Sequence, residues 1–172
     1  MITLERFIEE SNHIEGISGV SKNDMIAHEN LLACRTLTVQ DLEDFVALVQ
    51  PKAVLRRLRS LNVRVGNHIA PQGGPEIEQA LHSILEIAND SLPGSQNDST
   101  YSSNSVAYDL HRQYETLHPF TDGNGRSGRA LWLWIREGNT GNGFLREWAA
   151  TTLTKERVDF YDLRDIYYRS LR

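Results

Sequence analysis

Apolar residues recur at helical spacing along most of the chain. Leu4, Phe7, Ile8 and Ile14 predict a first helix over about residues 3–16, with Thr3 as its cap and Gly16 as the residue that ends it. Ser21-Lys22-Asn23-Asp24 resembles a capping box with Asp in place of Glu, opening a helix that carries Met25, Ile26 and Leu32. Thr38-Val39-Gln40-Asp41 does the same for Leu42, Phe45, Val46 and Val49, and Pro51 punctuates the end. Pro75 suits the first turn of a helix striped with Ile77, Leu81, Ile84, Leu85 and Ala88. Val106, Leu110, Tyr114 and Leu117 precede a tight loop, and Leu131, Trp132 and Ile135 follow it. Residues 136–143 read as a turn, residues 144–153 as a short helix, and Thr154 as the cap of a last helix with Val158, Tyr161, Ile166 and Leu171. Only residues 61–70 alternate, with Val63 and Val65 set against Asn62 and Arg64, and Gly66-Asn67 can close them as a type II′ turn. The pattern predicts an all-α, mostly helical fold with one small β-hairpin.

Composition narrows the class. With 172 residues, 40% of them apolar, the chain reads as one soluble domain, residues 1–172, complete in itself. A net charge of −5 argues against nucleic acid as a partner, and the basic run Lys52 to Arg59 reads as a solvated face rather than an interface. Cys34 stands alone, so no internal disulfide forms and a cytoplasmic location is the default. No apolar run is long enough to span a membrane, and no signal peptide is evident. His28 and His111 lack spaced metal partners and read as structural. Residues 92–104, rich in Ser, Asn, Gly and Asp, read as a loop.

The chemistry concentrates in residues 118–129. Pro119 cannot continue the preceding helix and pushes His118 out of helical geometry, at a helix end where its imidazole can face a cleft. Gly123 and Gly125 allow positive φ and a close approach of ligand to backbone. A helix starting at Asn124 or Gly125 turns its free N–H groups toward the loop, which makes an anion site. Arg126 and Arg129 share a helix flank there. Cations at a helix N-terminus oppose its dipole, so two of them point to a polyanion, and guanidinium suits phosphate. Asp122 is placed to hold Mg²⁺ on a di- or triphosphate, and His118 to act as general base.

Residues His118 to Arg129 resemble, letter for letter, the H-P-F-x-D-G-N-G-R-x-x-R signature of Fic-domain proteins. The resemblance implies AMP transfer from ATP to a hydroxyl of a target protein, with Mg²⁺ as cofactor and pyrophosphate as leaving group. By position, His118 would deprotonate the hydroxyl and Asp122 would hold Mg²⁺ on the α- and β-phosphates. Gly123, Asn124 and Gly125 would line the anion hole, with Arg126 at the β-phosphate and Arg129 at the γ-phosphate. Ser11-Asn12-His13-Ile14-Glu15-Gly16 fits the family's inhibitory pattern S/T-x-x-x-E-G/N. Glu15 would then pair with Arg129 in place of the γ-phosphate, with Ser11 one turn earlier facing the same site. The hairpin over residues 61–70 stands where the family carries a flap, on which Val63, Arg64 and Val65 would hold a target segment by strand addition. His68 on that hairpin reads as incidental.

Alternatives remain open at this point. Glu15 also permits the reverse reaction, AMP removal through an activated water. A catalytically silent nucleotide-binding module is a different class of answer. Doc-like kinases usually carry Lys where Gly125 stands, which ranks phosphate transfer lower. Fic proteins often self-associate, so a homo-oligomer is open, as is delivery to another cell as an effector. The target protein is not legible. The end of the chain, 164–171, matches the family's closing pattern only loosely and receives no nucleotide role.

Overall fold

The computed structural model describes residues 2–92 and 103–137. Six helices and one hairpin make up the described residues: α1 (Ile2–Ile14), α2 (Lys22–Ala33), α3 (Val39–Val49), β1 (Arg64–Val65), β2 (His68–Ile69), α4 (Pro75–Asp90), α5 (Ser103–Leu117) and α6 (Asn124–Glu137). The mostly helical class with a small hairpin is therefore what the chain adopts. The calls on residues 144–171 and on most of the 92–104 loop lie outside the described residues.

Local chemistry explains the helix starts. Ser21 and Thr38 each accept from the backbone N–H three residues on, and Asp24 and Asp41 reach back to the cap N–H groups, so both capping boxes are complete. Such caps contribute about 1 kcal/mol each. Pro75 opens α4, where a missing N–H costs nothing. Gly16 and Gly123 adopt φ of +74° and +76°, which lets the chain leave α1 and enter α6 sharply. Helix α1 already includes Ile2, so it begins before Thr3.

The centre is the α5–α6 pair. Every side chain of α6 from Arg126 to Ile135 is buried, so this helix has no solvent face. Helix α5 packs between α6 and α4, while α1, α2 and α3 surround the remaining flanks of α6. Phe7 of α1 stacks on Trp132 of α6 at 6.4 Å, and the Trp134 indole donates to the Cys34 carbonyl at 3.0 Å. Burying a leucine such as Leu131 stabilises by about 1.5–3 kcal/mol. Helix α6 also runs two residues into the stretch expected to turn, because Trp132 and Arg136 stay in contact one turn apart.

Residues 52–59 follow the solvated-face reading at Lys52, Arg57 and Arg59 and depart from it at Arg56. They form no helix; they run as an extended strap along the 118–121 loop. Leu55 bridges Phe120, the Arg56 N–H donates to the Pro119 carbonyl at 2.9 Å, and the Thr121 N–H donates to the Val54 carbonyl at 2.9 Å. Arg56 is fully buried. Arg57 and Arg59 do sit at the surface, paired with Glu43 and Glu78, and with Glu76. The hairpin pairs Arg64 with Ile69 and Val65 with His68, and Val63 falls just outside the ladder. Gly66 has φ +57° and Asn67 does not share it, the signature of a II′ rather than a I′ turn. Among the described residues no helix is long and apolar enough to cross a membrane.

Candidate active site

The loop between α5 and α6 builds its own shape. The buried Asn124 side chain accepts from the Phe120 N–H and donates to the Phe120 carbonyl, both at 2.8 Å, which folds residues 120–124 into a closed ring. The Ser127 hydroxyl donates to the Gly123 carbonyl at 2.9 Å and meets the Tyr114 hydroxyl at 2.7 Å, tying α6 to α5. His118 leaves α5 with φ +50°, the one non-glycine residue at positive φ among those described. A bulky residue in that region stores of order 1–3 kcal/mol of strain and persists only where its surroundings hold it. Its imidazole is half-buried, and burial is the main reason its pKa lies below the ordinary histidine value, with a hydrogen bond to the Glu115 carbonyl opposing. A lowered value keeps the ring neutral near pH 7, as a base requires.

The two arginines of α6 part company. Arg126 turns toward α3, donating to the Val49 carbonyl and the Gln50 side chain at 2.8 Å, with Asp24 at 3.7 Å. Arg129 turns toward α1, where its Nε donates to the Ser11 hydroxyl at 2.8 Å. Its Nη2 donates to the Ser11 carbonyl at 2.9 Å and to Glu15 Oε1 at 2.7 Å. Both guanidiniums are nearly inaccessible. The Glu15 carboxylate lies directly over Gly125, so close that a Cβ there would collide with it. That corrects the expectation for Gly125. Its φ is not positive, and the missing side chain matters for close approach alone.

These groups border one cleft of about 870 Å³. Its walls are Glu15 and Ile17 beyond α1, Gln50, the hairpin residues 65–68, Arg112, Glu115 and Thr116 of α5, His118, and residues 122–126. The geometry therefore brings His118, Asp122, Gly123, Asn124, Gly125, Arg126 and Glu15 to a single space, with Val65 opposite; Arg129 reaches it through Glu15. Val63 and Arg64 do not line it. Asp122 is exposed at the cleft floor. One carboxylate oxygen accepts from the Gln50 amide and the other from the Gly123 N–H. A single exposed carboxylate suits an ion shared with substrate phosphates rather than an all-protein cage, and among the described residues no group of three ligands could hold a metal alone. Asp122 therefore fits Mg²⁺ carried with a nucleotide.

Four residues here escaped the sequence reading. Gln50 bridges Asp122 and Arg126 with one amide. Glu115 is buried against Gly128, and burial pushes its pKa up to about 7. The His68 ring bonds the Thr116 carbonyl at 3.0 Å, fastening the hairpin to α5. Arg56 bonds the His118 carbonyl at 2.7 Å. Only the position of Gln50 at the end of α3, before Pro51, carried any local signal.

No curated protein matches the chain. Among solved structures, a Fic family protein from Desulfovibrio desulfuricans G20 is similar with a TM-score of 0.49 at 18% identity, over 87% of this chain and 49% of that one. The chain thus spans about half the length of that protein. The Fic/DOC family matches residues 28–135, which include the whole 118–129 loop and well over half the sequence. The chain belongs to the Fic/DOC family.

Proposed function

We propose that the protein transfers AMP from ATP to a hydroxyl side chain of a target protein and that Glu15 holds this activity in check. The observation that carries the reading is the convergence on one cleft of a half-buried imidazole, an exposed carboxylate and a helix N-terminus flanked by two guanidiniums. His118 takes the proton from the target hydroxyl. The oxygen then bonds the α-phosphorus, and the bond to pyrophosphate breaks. Gly123, Asn124 and Gly125 present the helix N-terminus to the phosphates, and Arg126 meets the β-phosphate. Asp122 would hold Mg²⁺, which would supply charge neutralisation to the phosphates when bound. Such a transfer asks for positioning and charge, and needs no covalent intermediate. The hairpin holds an extended target segment by strand addition through Val63, Arg64 and Val65.

The check is a competition for one guanidinium. Arg129 is the partner suited to a γ-phosphate, and three of its hydrogen bonds already go to Ser11 and Glu15. With Glu15 in place, ATP binds without its γ-phosphate seated, and the α-phosphorus is not aligned for attack.

Incubation of wild-type, Glu15→Gly and Glu15→Gly/His118→Ala proteins with Mg²⁺ and α-labelled ATP tests the reading. Labelled AMP joined to protein in the single variant alone, read by gel and intact mass, is the expected result. Equal labelling of wild type and Glu15→Gly removes the inhibitory role. No label in any sample, with AMP instead released from a pre-adenylylated protein, would assign Glu15 to water activation and reverse the reaction.

A further inference from the structure

The most unusual buried charge outside the 118–129 loop is Arg56. It is fully inaccessible, and among the described residues no carboxylate pairs with it. Its guanidinium donates instead to four backbone carbonyls. Nε bonds His118 O at 2.7 Å, Nη2 bonds Leu117 O at 2.7 Å, and Nη1 bonds Pro71 O at 2.8 Å and Leu61 O at 3.2 Å. Leu117 is the last residue of α5, so two of these acceptors belong to the helix's negative end, which supplies the counter-charge that a carboxylate would otherwise provide. The other two flank the hairpin, one before β1 and one after β2.

From this geometry we propose that Arg56 is a positioning residue that fixes the His118 peptide and the base of the hairpin to one another, so that the general base and the target-docking strand keep a constant relation. The proposal deepens the AMP-transfer reading and rests on it for what the hairpin holds. Three features support it. The His118 backbone sits in the left-handed region and needs something to hold it there. The planar fork of Arg reaches four carbonyls at once, which a point-like ammonium cannot. The neighbouring backbone repeats the tie, since the Arg56 N–H bonds the Pro119 carbonyl and the Arg56 carbonyl accepts from the Gly74 N–H, both at 2.9 Å. The charges that act on the His118 ring are Arg56, His68 from the hairpin and Asp122 from the loop, its Nδ1 bonds the Glu115 carbonyl at 3.4 Å, and Arg56 is among the groups that disfavour its protonation.

The test uses the full chain in the Glu15→Gly background, with Arg56→Gln and Arg56→Lys added separately. Three quantities are read: AMP transfer against pH, ATP affinity, and the NMR titration of His118 together with exchange of the hairpin amides. Arg56→Gln should lower transfer on the order of a hundredfold, the usual cost of a misplaced reacting group. ATP affinity should stay within about twofold, since the phosphate site is built elsewhere. The His118 titration and the acid limb of the rate profile should both move to higher pH, because a repelling cation is gone. Arg56→Lys keeps the charge, so it should lose rate with little change in titration; it also decides the question if the Gln variant fails to fold. Unchanged rate, titration and hairpin exchange in a folded variant would overturn the proposal, as would a parallel loss of ATP affinity and rate. If the parent transfers no AMP, the functional reading falls, and the His118 titration and hairpin exchange still decide the role of Arg56.

Discussion

The 118–129 loop and the 52–70 segment, whose residues 65–68 border the same cleft, are held in different ways. The loop bonds to itself: Asn124 closes on Phe120, Ser127 on Gly123, and Asp122 on the next N–H. The strap and hairpin bond outward, through Val54 and Arg56 to the loop and through His68 to α5. Exposure runs from 1% at Asn124 to 73% at Ile69 of the hairpin, but it crosses the division, since Arg56 of the strap is fully buried and Asp122 of the loop is exposed. The turn over residues 120–127 is thus shaped by residues close in sequence, while Arg126, Arg129 and the His118 carbonyl take partners from distant segments. The hairpin has an open edge and borrows its rigidity from distant anchors.

The sharpest way to break this comparison is His118→Ala. It should cut AMP transfer by about 10²–10⁴-fold while ATP affinity, measured by titration, holds within about twofold. A matched loss of affinity would mean the ring shapes the loop rather than reacting. Next comes stability. A Cβ on Gly128 would meet Glu115 Oε1 at 2.5 Å and Tyr114 Cδ1 at 3.0 Å, and Tyr114 is fully buried and unable to yield. Urea unfolding of Gly128→Ala should show about 1–3 kcal/mol of destabilisation. Ala at Gly66 meets no atoms but must adopt φ +57°, so its cost should be nearer about 1 kcal/mol. Smaller again is Ser11→Ala. It removes the Arg129 Nε bond and should raise auto-modification less than Glu15→Gly does, by intact mass. Smallest is Ile69→Asp on the exposed hairpin, which should leave unfolding within about 0.5 kcal/mol and ATP affinity unchanged.

The same division governs what could be read from the sequence. Capping boxes at Ser21 and Thr38, the start of α6 at Asn124 and the II′ turn are local rules applied to adjacent residues, and the folded chain follows them. Arg56 was misread because Lys-Ala-Val-Leu-Arg-Arg-Leu-Arg looks like any charged surface, while the carbonyls that bury it come from as far as 62 residues away. Its neighbours Arg57 and Arg59 carry the same side chain and do face solvent. Glu115 followed a helical pattern that gave no hint of burial against Gly128. Gly125 was credited with a backbone role; the reason for it, the Glu15 carboxylate overhead, comes from the turn just past α1, more than a hundred residues earlier in the chain.

The central claim is that Glu15 occupies the guanidinium a γ-phosphate would take. The most direct measurement is the affinity of ATP and of ADP for wild type and for Glu15→Gly, each with Mg²⁺. ADP lacks the contested phosphate. The account predicts that the variant gains affinity for ATP by about tenfold, the worth of a charge-assisted hydrogen bond, while its affinity for ADP stays where it was. Equal gains for both nucleotides, or none for either, would contradict it.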